Sequence, residues 1–277
     1  MDTRKIGFIG AGNMARSLAK GLIDNGWPTA RLILSDPNDD QRTSTASLLG
    51  TTCIADNSEL ISHCDVLVLA VKPQLLKSVL QPLASAVQQR KPLVISVVAG
   101  ILVEDIQSWL GGGLNMVRTM PNTPALIGSG ATGLYASPGT SADDRNFAES
   151  LMRACGVTVW VDSEAKLDVI TALSGSGPAY FFLMIEALEN AAVARGLDSN
   201  DARLLAVETA LGAAKMALES DEDPAQLRRR VTSPGGTTEQ AINTFEEAGL
   251  RDICQRAIDA AIGRARELAQ MFGGNDK

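Results

Sequence analysis

The feature that most constrains the fold of this chain is a glycine pattern close to its start. Gly10, Gly12 and Ala15 follow a strand-like run at residues 5–9 and open a helical stretch at residues 14–25. A Gly-x-Gly-x-x-Ala sequence between a strand and a helix is typical of a dinucleotide-binding turn. Gly10 permits the tight turn, Gly12 lets the backbone approach a pyrophosphate, and Ala15 keeps the helix close to the strand.

Strand-like and helical stretches alternate over the first 162 residues. Short apolar runs rich in Val, Ile and Leu occur at residues 32–34, 65–70, 93–98, 115–118 and 157–161. Such near-continuous apolar runs are typical of parallel strands that are covered on both faces. We therefore predict an α/β fold whose N-terminal part, residues 1–162, is a doubly wound Rossmann domain.

From residue 163 onward the strand-like runs disappear. Helices are predicted at residues 180–195, 201–218, 238–248 and 251–271, with an interruption at residues 174–178 and a loose tail at residues 273–277. This pattern predicts an all-α C-terminal domain over residues 163–277. Residues 181–185 and 210–217 are apolar over more than one helical face, so we expect a partner subunit to cover them.

Charge and composition exclude several classes of function. The net charge of −7 argues against a nucleic-acid partner, and a single histidine without any Cys-x-x-Cys pair argues against a metal site. The first residues lack the apolar core of a signal peptide, and no uninterrupted apolar run reaches the ~18–20 residues of a membrane span. We therefore expect a cytoplasmic protein with no membrane partner.

The end of the second predicted strand bears on the choice of cofactor. Ser35 and Asp36 stand where an acidic residue receives the adenosine ribose of NAD, which would disfavour the extra phosphate of NADP. Arg42 is close enough in sequence to attract that phosphate instead. A helix-capping role for Asp36 or Asn38 is an equal alternative. The cofactor is therefore NADPH or NADH.

Two further turns follow predicted strands at the edge where a Rossmann sheet binds its cofactor. Lys72 and Pro73 come after residues 66–70, and Asn122 lies between two prolines after residues 115–118. Lys72 is either a cofactor or substrate contact or a surface lysine. Asn122 is either the polar contact of a nicotinamide pocket or part of a structural turn.

A serine- and glycine-rich loop at residues 233–238, which we term the SPGG loop, precedes a predicted helix. Gly235 and Gly236 can expose consecutive amide groups as an anion nest, so a small carboxylate would bind there without an arginine. Thr237 and Gln240 fit a capping box, which leaves an ordinary helix start as the alternative. The loop at residues 174–178 is more typical of a structural turn.

These segments together resemble pyrroline-5-carboxylate reductases. The motifs that carry the resemblance are Ile6-Gly-Phe-Ile-Gly-Ala-Gly-Asn-Met14, Ala70-Val-Lys-Pro73, Met120-Pro-Asn-Thr-Pro124, Leu173-Ser-Gly-Ser-Gly-Pro-Ala-Tyr180, Gly212-Ala-Ala-Lys-Met216 and Val231-Thr-Ser-Pro-Gly-Gly-Thr-Thr238. The resemblance implies reduction of 1-pyrroline-5-carboxylate to L-proline, the last step of proline biosynthesis, by interlocked dimers that can assemble into decamers.

The resemblance also implies roles for individual residues. The SPGG loop would hold the substrate carboxylate, the Thr238 hydroxyl would lie beside the ring nitrogen as the catalytic group, and Glu164 would contact the substrate. The predicted substrate-binding residues are Glu164, Ser233, Gly235, Gly236, Thr237 and Thr238. The predicted cofactor-binding residues are Gly10, Ala11, Gly12, Asn13, Met14, Ser35, Asp36, Asn57, Val71, Lys72, Pro73, Ala99 and Asn122.

Two other functions remain compatible with the residues. A related reductase with the same domain layout would act on another cyclic imine or on a hydroxy acid, and would use Lys166 or Lys215 as its catalytic lysine. A non-catalytic dinucleotide sensor would need the cofactor site but not the SPGG loop. Screening of imines and hydroxy acids as substrates distinguishes the first alternative from a pyrroline-5-carboxylate reductase. Cofactor binding without turnover on any imine would indicate the second alternative.

Overall fold

The computed structural model describes residues 3–273, and one eight-stranded sheet dominates the N-terminal part of the chain. The strands run in the order β3-β2-β1-β4-β5-β6-β7-β8. Every neighbouring pair is parallel except β6 and β7, which are antiparallel. The strands are β1 Ile6–Ile9, β2 Leu32–Ser35, β3 Thr52–Ile54, β4 Val66–Leu69, β5 Leu93–Ser96, β6 Met116–Met120, β7 Gly130–Ala136 and β8 Gly156–Trp160.

Within residues 3–273, seven α-helices lie among these strands and six follow them. The first set is α1 Asn13–Asp24, α2 Asp39–Leu49, α3 Asn57–His63, α4 Pro73–Leu80, α5 Ala84–Arg90, α6 Val103–Trp109 and α7 Ala142–Arg153. The second set is α8 Lys166–Ile170, α9 Gly177–Val193, α10 Ser199–Glu219, α11 Pro224–Arg230, α12 Thr237–Glu247 and α13 Leu250–Gly273. The predicted doubly wound domain followed by helices is confirmed.

Apolar layers cover both faces of the sheet. On one face Phe8 of β1 packs in a buried cluster with Leu18 and Leu22 of α1. On the other face Leu69 of β4 shares a cluster with Leu76 of α4. Burial on two sides explains why the central strands are continuous apolar runs rather than alternating ones. The layers hold the strand ends rigidly at the edge where the candidate cofactor residues lie.

The sequence patterns missed two strands, gave no bounds for the helices α2 to α7, and missed the short helices α8 and α11. β3 has only three residues, none of them buried. β7 contains Gly130 and Gly133, and glycine is depleted in strands. A Cβ at Gly133 would lie 2.5 Å from Ile170, so glycine there lets α8 pack closely on the sheet. The short helix α11 was also missed, although Asp223 and Gln226 form a capping box at its start.

Backbone contacts divide the chain into two compact units. One unit runs to Ser176 and includes the segment from Ala261 onward, and the other is Gly177–Ala260. The last strand ends at Trp160, near the domain boundary predicted after residue 162, which itself stays a prediction. Gly273 lies in α13 rather than in the predicted tail, and residues 274–277 of that tail lie outside the described residues.

The predicted interruption at residues 174–178 does not break the helix. A π-helical turn, Thr171–Gly175, connects α8 to α9, and the Ser176 amide donates to the Thr171 carbonyl at 2.8 Å. The segment Lys166–Val193 therefore has the length and mean hydropathy of a membrane span, and 11% of its apolar 18-residue window is buried within the chain. The segment is not an uninterrupted apolar run, since Ser174, Ser176 and Glu186 lie within it, so it passes this test on length and average composition alone.

The unit Gly177–Ala260 buries almost nothing within its own chain. All of its residues are described, and only Gly177 and Ala202 are buried. Phe181, Phe182 and Leu183 of α9 are each about two-thirds exposed. A helix that is apolar on all sides needs a covering surface, which is either a membrane or a second protein subunit.

Candidate active site

The turn between β1 and α1 has the shape that a dinucleotide pyrophosphate requires. Gly10 has φ +98°, and a Cβ there would lie 2.6 Å from the Ala70 carbonyl oxygen. Gly12 is the N-cap of α1 with φ −72°, and a Cβ there would meet nothing within 4 Å. Gly10 is therefore required by its backbone conformation and by the close approach of Ala70, whereas Gly12 leaves open space in front of the helix.

The first turn of α1 offers unpaired donors beside that space. Within the described residues, the amide groups of Gly12, Asn13 and Met14 have no acceptor, and the first turn of α1 contains no acidic residue. A helix N-terminus with free N–H groups carries a partial positive charge that attracts phosphate. The open space and the free amides fit the pyrophosphate of NAD(P)H.

Asp36 fastens this turn to the end of β2. Its carboxylate accepts a hydrogen bond from the Ala11 amide at 3.1 Å and another from the Asn38 amide at 3.0 Å. Ser35 is fully buried, and its hydroxyl donates to Asn57 Oδ1 at 2.6 Å. Asp36 and Asn57 thus lie beside the glycine turn, and Ser35 acts behind them by orienting the Asn57 amide.

Of the two candidates for a helix-capping role, Asn38 is the residue that caps α2. Its side chain accepts from the Gln41 amide at 2.9 Å and caps α2. Arg42 donates to the carbonyl oxygens of Asp36 and Pro37 at 2.9 and 3.0 Å, and pairs with Asp39 at 2.7 Å. The Asp36 carboxylate is free of a capping role, and the Arg42 guanidinium already has three acceptors.

The remaining cofactor candidates follow the neighbouring strands. Val71 and Lys72 come after β4, which pairs with β1, and Ala99 comes after β5, which pairs with β4. Lys72 is exposed and is the N-cap residue of α4, with Pro73 in its first turn. Because these strands are parallel, the structure brings all of these residues to one sheet edge together with the glycine turn.

Asn122 is held inside the protein by both ends of its amide group. Its Nδ2 donates to the Ser174 carbonyl at 3.0 Å, and its Oδ1 accepts from the Ala131 amide at 2.9 Å. The side chain is buried. These contacts bridge β7 and the π turn, so the structure supports a structural role for Asn122 over the predicted cofactor contact.

Glu164 is paired with a buried arginine that the sequence reading did not single out. Its Oε1 accepts from Arg118 Nη1 at 2.9 Å and from the Val103 amide at 2.8 Å. The Arg118 side chain is only 3% exposed, so Glu164 is needed to offset the energetic cost of burying its charge. A charged residue within the apolar run of β6 was the signal that could have identified Arg118.

The ionisable residues that line the cavity beside Glu164 are mostly acidic. The cavity has a volume of about 640 Å³, and Glu104, Asp105 and Asp168 contribute carboxylates while Arg266 contributes one cation. Burial raises the pKa of Asp105, and the neighbouring carboxylates of Glu104 and Glu164 raise it further. Such a lining disfavours a carboxylate ligand, so Glu164 as a substrate contact stays a prediction that this cavity does not support.

The SPGG loop lies in the unit Gly177–Ala260 and runs into α12. Gly236 is the N-cap residue of α12 and makes no side-chain capping bond. The predicted capping box between Thr237 and Gln240 is therefore wrong, because the helix begins one residue earlier than that pattern requires. Thr237 and Thr238 are the first two residues of the helix, and both are exposed.

The two glycine amides of the loop are already hydrogen-bonded. The Gly235 amide donates to Glu239 Oε2 at 2.8 Å, and the Gly236 amide donates to the Ser233 carbonyl at 3.0 Å. The expectation of bare amides at this glycine pair is therefore wrong. In the described chain it is the amide groups of Thr237 and Thr238 that have no acceptor.

Glu239 was not among the candidate site residues. It is the third residue of α12, and an acidic residue at the third helical position is the partner that a capping box places near a helix start. That spacing, counted from Gly236 rather than from Thr237, was the signal that could have identified it. Its carboxylate is the anion that the loop holds in this structure.

Comparisons with known proteins cover both parts of the chain. The family described as "Pyrroline-5-carboxylate reductase dimerisation" matches residues 164–268, and the family described as "NADP oxidoreductase coenzyme F420-dependent" matches residues 5–100. A pyrroline-5-carboxylate reductase of Pseudomonas aeruginosa is 47% identical over 273 residues, covering 99% of this chain and all of that protein.

Solved structures show the same similarity. A pyrroline-5-carboxylate reductase from Coxiella burnetii superposes with a TM-score of 0.92 at 46% identity, covering 97% of this chain and 99% of that one. The Plasmodium falciparum pyrroline carboxylate reductase with NADP bound has a TM-score of 0.86 at 29% identity, covering 97% of this chain and 99% of the other. The similarity therefore extends over both compact units.

Proposed function

Because this chain belongs to the pyrroline-5-carboxylate reductase family, we propose that it reduces 1-pyrroline-5-carboxylate to L-proline with NAD(P)H. The observation that carries this proposal is the 47% identity over essentially the full length, which includes both the glycine turn and the SPGG loop. The unpaired amide groups at the starts of α1 and α12 support it, since both the cofactor and the substrate are anions.

The cofactor is held at the carboxyl edge of the sheet. The amides of Gly12, Asn13 and Met14 would bind the pyrophosphate, and Asp36 and Asn57 would meet the adenosine half. Lys72 and Ala99 would contact the nicotinamide half. NAD(P)H supplies the hydride that reduces the C=N bond. The protein's part is to bind both reactants and to orient the imine.

The SPGG loop would bind the substrate by its carboxylate. The free amides of Thr237 and Thr238 donate hydrogen bonds, and the partial positive charge at the N-terminus of α12 adds attraction. The Thr238 hydroxyl would hydrogen-bond to the ring nitrogen, whose charge changes as the imine becomes an amine. The chain's one histidine, His63, ends α3 and is remote in sequence from the loop, so we assign the proton to the bound iminium or to water.

The active form would be a dimer in the cytoplasm, with further assembly to a decamer as part of this proposal. The family that matches residues 164–268 is a dimerisation domain, which accounts for the exposed apolar faces of α9 and α10 better than a membrane does. All four cysteines are free, as is usual for proteins of a reducing compartment.

The hydroxy-acid alternative has little support in the lysines that it requires. Lys166 pairs with Asp162 at 2.8 Å, and Lys215 lies 3.9 Å from Glu219. Both lysines are more than half exposed in these helix-surface pairs. A catalytic lysine needs a perturbed environment, which surface ion pairs of this kind do not provide.

A steady-state assay tests the proposed function. We expect NAD(P)H oxidation with 1-pyrroline-5-carboxylate, formation of L-proline, and no turnover with hydroxy acids. Turnover with a hydroxy acid in preference to the imine would contradict the proposal. Tight NAD(P)H binding without turnover on any imine would instead indicate a dinucleotide sensor.

Substitution of Thr238 tests the catalytic assignment. We expect Thr238→Ala to lower kcat by about tenfold to hundredfold, since a hydrogen bond to a charged group contributes about 1.5–3 kcal/mol. Thr238→Ser keeps the hydroxyl and should retain most of the activity. The KM for NADPH should stay unchanged in both variants. An unchanged kcat in Thr238→Ala would reject the role.

A further inference from the structure

We propose that Glu239 is a positioning residue for substrate binding, because it holds the SPGG loop in the conformation that leaves the amides of Thr237 and Thr238 for the substrate carboxylate. This inference rests on the proposed function, since it concerns the same loop. It also changes the assignment of donors, because Gly235 and Gly236 are no longer the groups that bind the substrate.

The conformation of the loop needs support at Gly235. This residue has φ +71°, in the left-handed region. Glycine adopts this region without steric cost, but it can adopt other conformations equally well. Its amide donates to Glu239 Oε2 at 2.8 Å, a hydrogen bond to an ionised acceptor. The Gly236 amide donates to the Ser233 carbonyl at 3.0 Å and closes the turn. The Glu239 bond is thus one of the two hydrogen bonds that the amides of this glycine pair donate.

The position of Glu239 indicates that it supports the loop and does not itself contact the substrate. Glu239 is half-buried, whereas Thr237 and Thr238 are exposed. Its carboxylate accepts a hydrogen bond from the Gly235 amide, which lies outside the helix. The amides of the first helical turn point along the axis of α12, where the partial positive charge of the helix is greatest. A substrate carboxylate therefore binds to the helix start and leaves Glu239 in place.

Two neutral variants of equal length isolate the acceptor. Glu239→Gln keeps an oxygen that can accept from Gly235, and Glu239→Met does not, while both residues are good helix formers. Glu247→Met is the matched control, because the Glu247 side chain is exposed at the other end of α12 and makes no hydrogen bond or ion pair within the described chain. All three variants are assayed as the full-length enzyme with 1-pyrroline-5-carboxylate and NADPH.

We expect Glu239→Met to raise the KM for 1-pyrroline-5-carboxylate by about tenfold, the change that corresponds to one charge-assisted hydrogen bond. Its kcat and its KM for NADPH should stay within about twofold of wild type. Glu239→Gln and Glu247→Met should keep the wild-type KM within about threefold. The binding of L-proline to the enzyme with NADP, measured by calorimetry, should weaken in parallel in Glu239→Met alone.

The outcomes are decisive in each direction. Equal KM values for Glu239→Met and Glu239→Gln would overturn the proposal, because the acceptor would then be irrelevant. A lower KM in Glu239→Met would also overturn it, since Glu239 would then compete with the substrate for the loop. Failure of the wild-type enzyme to turn over the imine would instead refute the proposed function, so the two failures are distinct.

Discussion

The two glycines of the dinucleotide turn should respond in opposite ways to the addition of one methyl group. Gly12→Ala places a Cβ in space that is open in the protein, at φ −72°, which any residue adopts. The gain from a less flexible unfolded chain is about 0.4–1 kcal/mol. The poorer N-cap costs a similar amount. The free energy of unfolding should therefore change by less than about 1 kcal/mol.

The same methyl group would stand where the pyrophosphate approaches α1. Loss of one hydrogen bond to a charged group costs about 1.5–3 kcal/mol, which lowers the affinity for NADPH by about tenfold to hundredfold. Gly10→Ala behaves differently, because its Cβ would lie 2.6 Å from the Ala70 carbonyl oxygen at φ +98°. Strain and overlap together should destabilise the fold by roughly 3 kcal/mol.

Fluorescence titration with NADPH and thermal unfolding, measured on both variants at one protein concentration, separate these effects. We expect Gly12→Ala to melt like the wild-type protein and to bind NADPH weakly. Gly10→Ala should melt at a clearly lower temperature. Wild-type affinity in Gly12→Ala would refute the reasoning, and so would equal stability of the two variants.

Three further changes test other parts of the structure. Glu164→Ala leaves the buried Arg118 charge without its partner and should lower the free energy of unfolding by about 3 kcal/mol in denaturant titrations; a raised KM for the substrate with unchanged stability would favour the substrate contact instead. Asp36→Asn keeps an acceptor for the Ala11 amide but removes the charge, so the ratio of kcat/KM for NADPH over NADH should rise about tenfold; an unchanged ratio would show that Asp36 does not face the ribose. Burial raises the pKa of Cys64 to about 12, so a thiol reagent at pH 8 should leave Cys64 unmodified in the native enzyme, as measured by mass spectrometry, and modify it after unfolding.

The central part of the fold was readable because burial on both faces leaves a strong trace in sequence. The runs that became β1, β4 and β5 contain almost nothing but apolar residues, and their helices follow at short intervals. β7 left no such trace. Its glycines serve the close approach of α8 and of the segment around Cys155, which is tertiary information that a local pattern does not contain.

The parts of the candidate site that depend on backbone conformation were predictable from the sequence. The parts that depend on contacts between particular side chains were less predictable. The glycine turn and the edge positions of Asp36 and Lys72 followed from strand and helix order alone. Arg118 and Glu164 lie 46 residues apart, and no spacing rule connects them. The Glu239 bond was missed because a one-residue shift in the start of α12 changes which side chain faces the loop.

The unit Gly177–Ala260 has only two buried residues of its own, so the amount of folded enzyme depends on protein concentration. A segment without an internal core gains its folding energy only when a second copy arrives, so folding and association form one equilibrium. Apparent stability then rises with protein concentration and falls on dilution. Assays at nanomolar enzyme and melting curves at micromolar enzyme would report on different populations of the same chain.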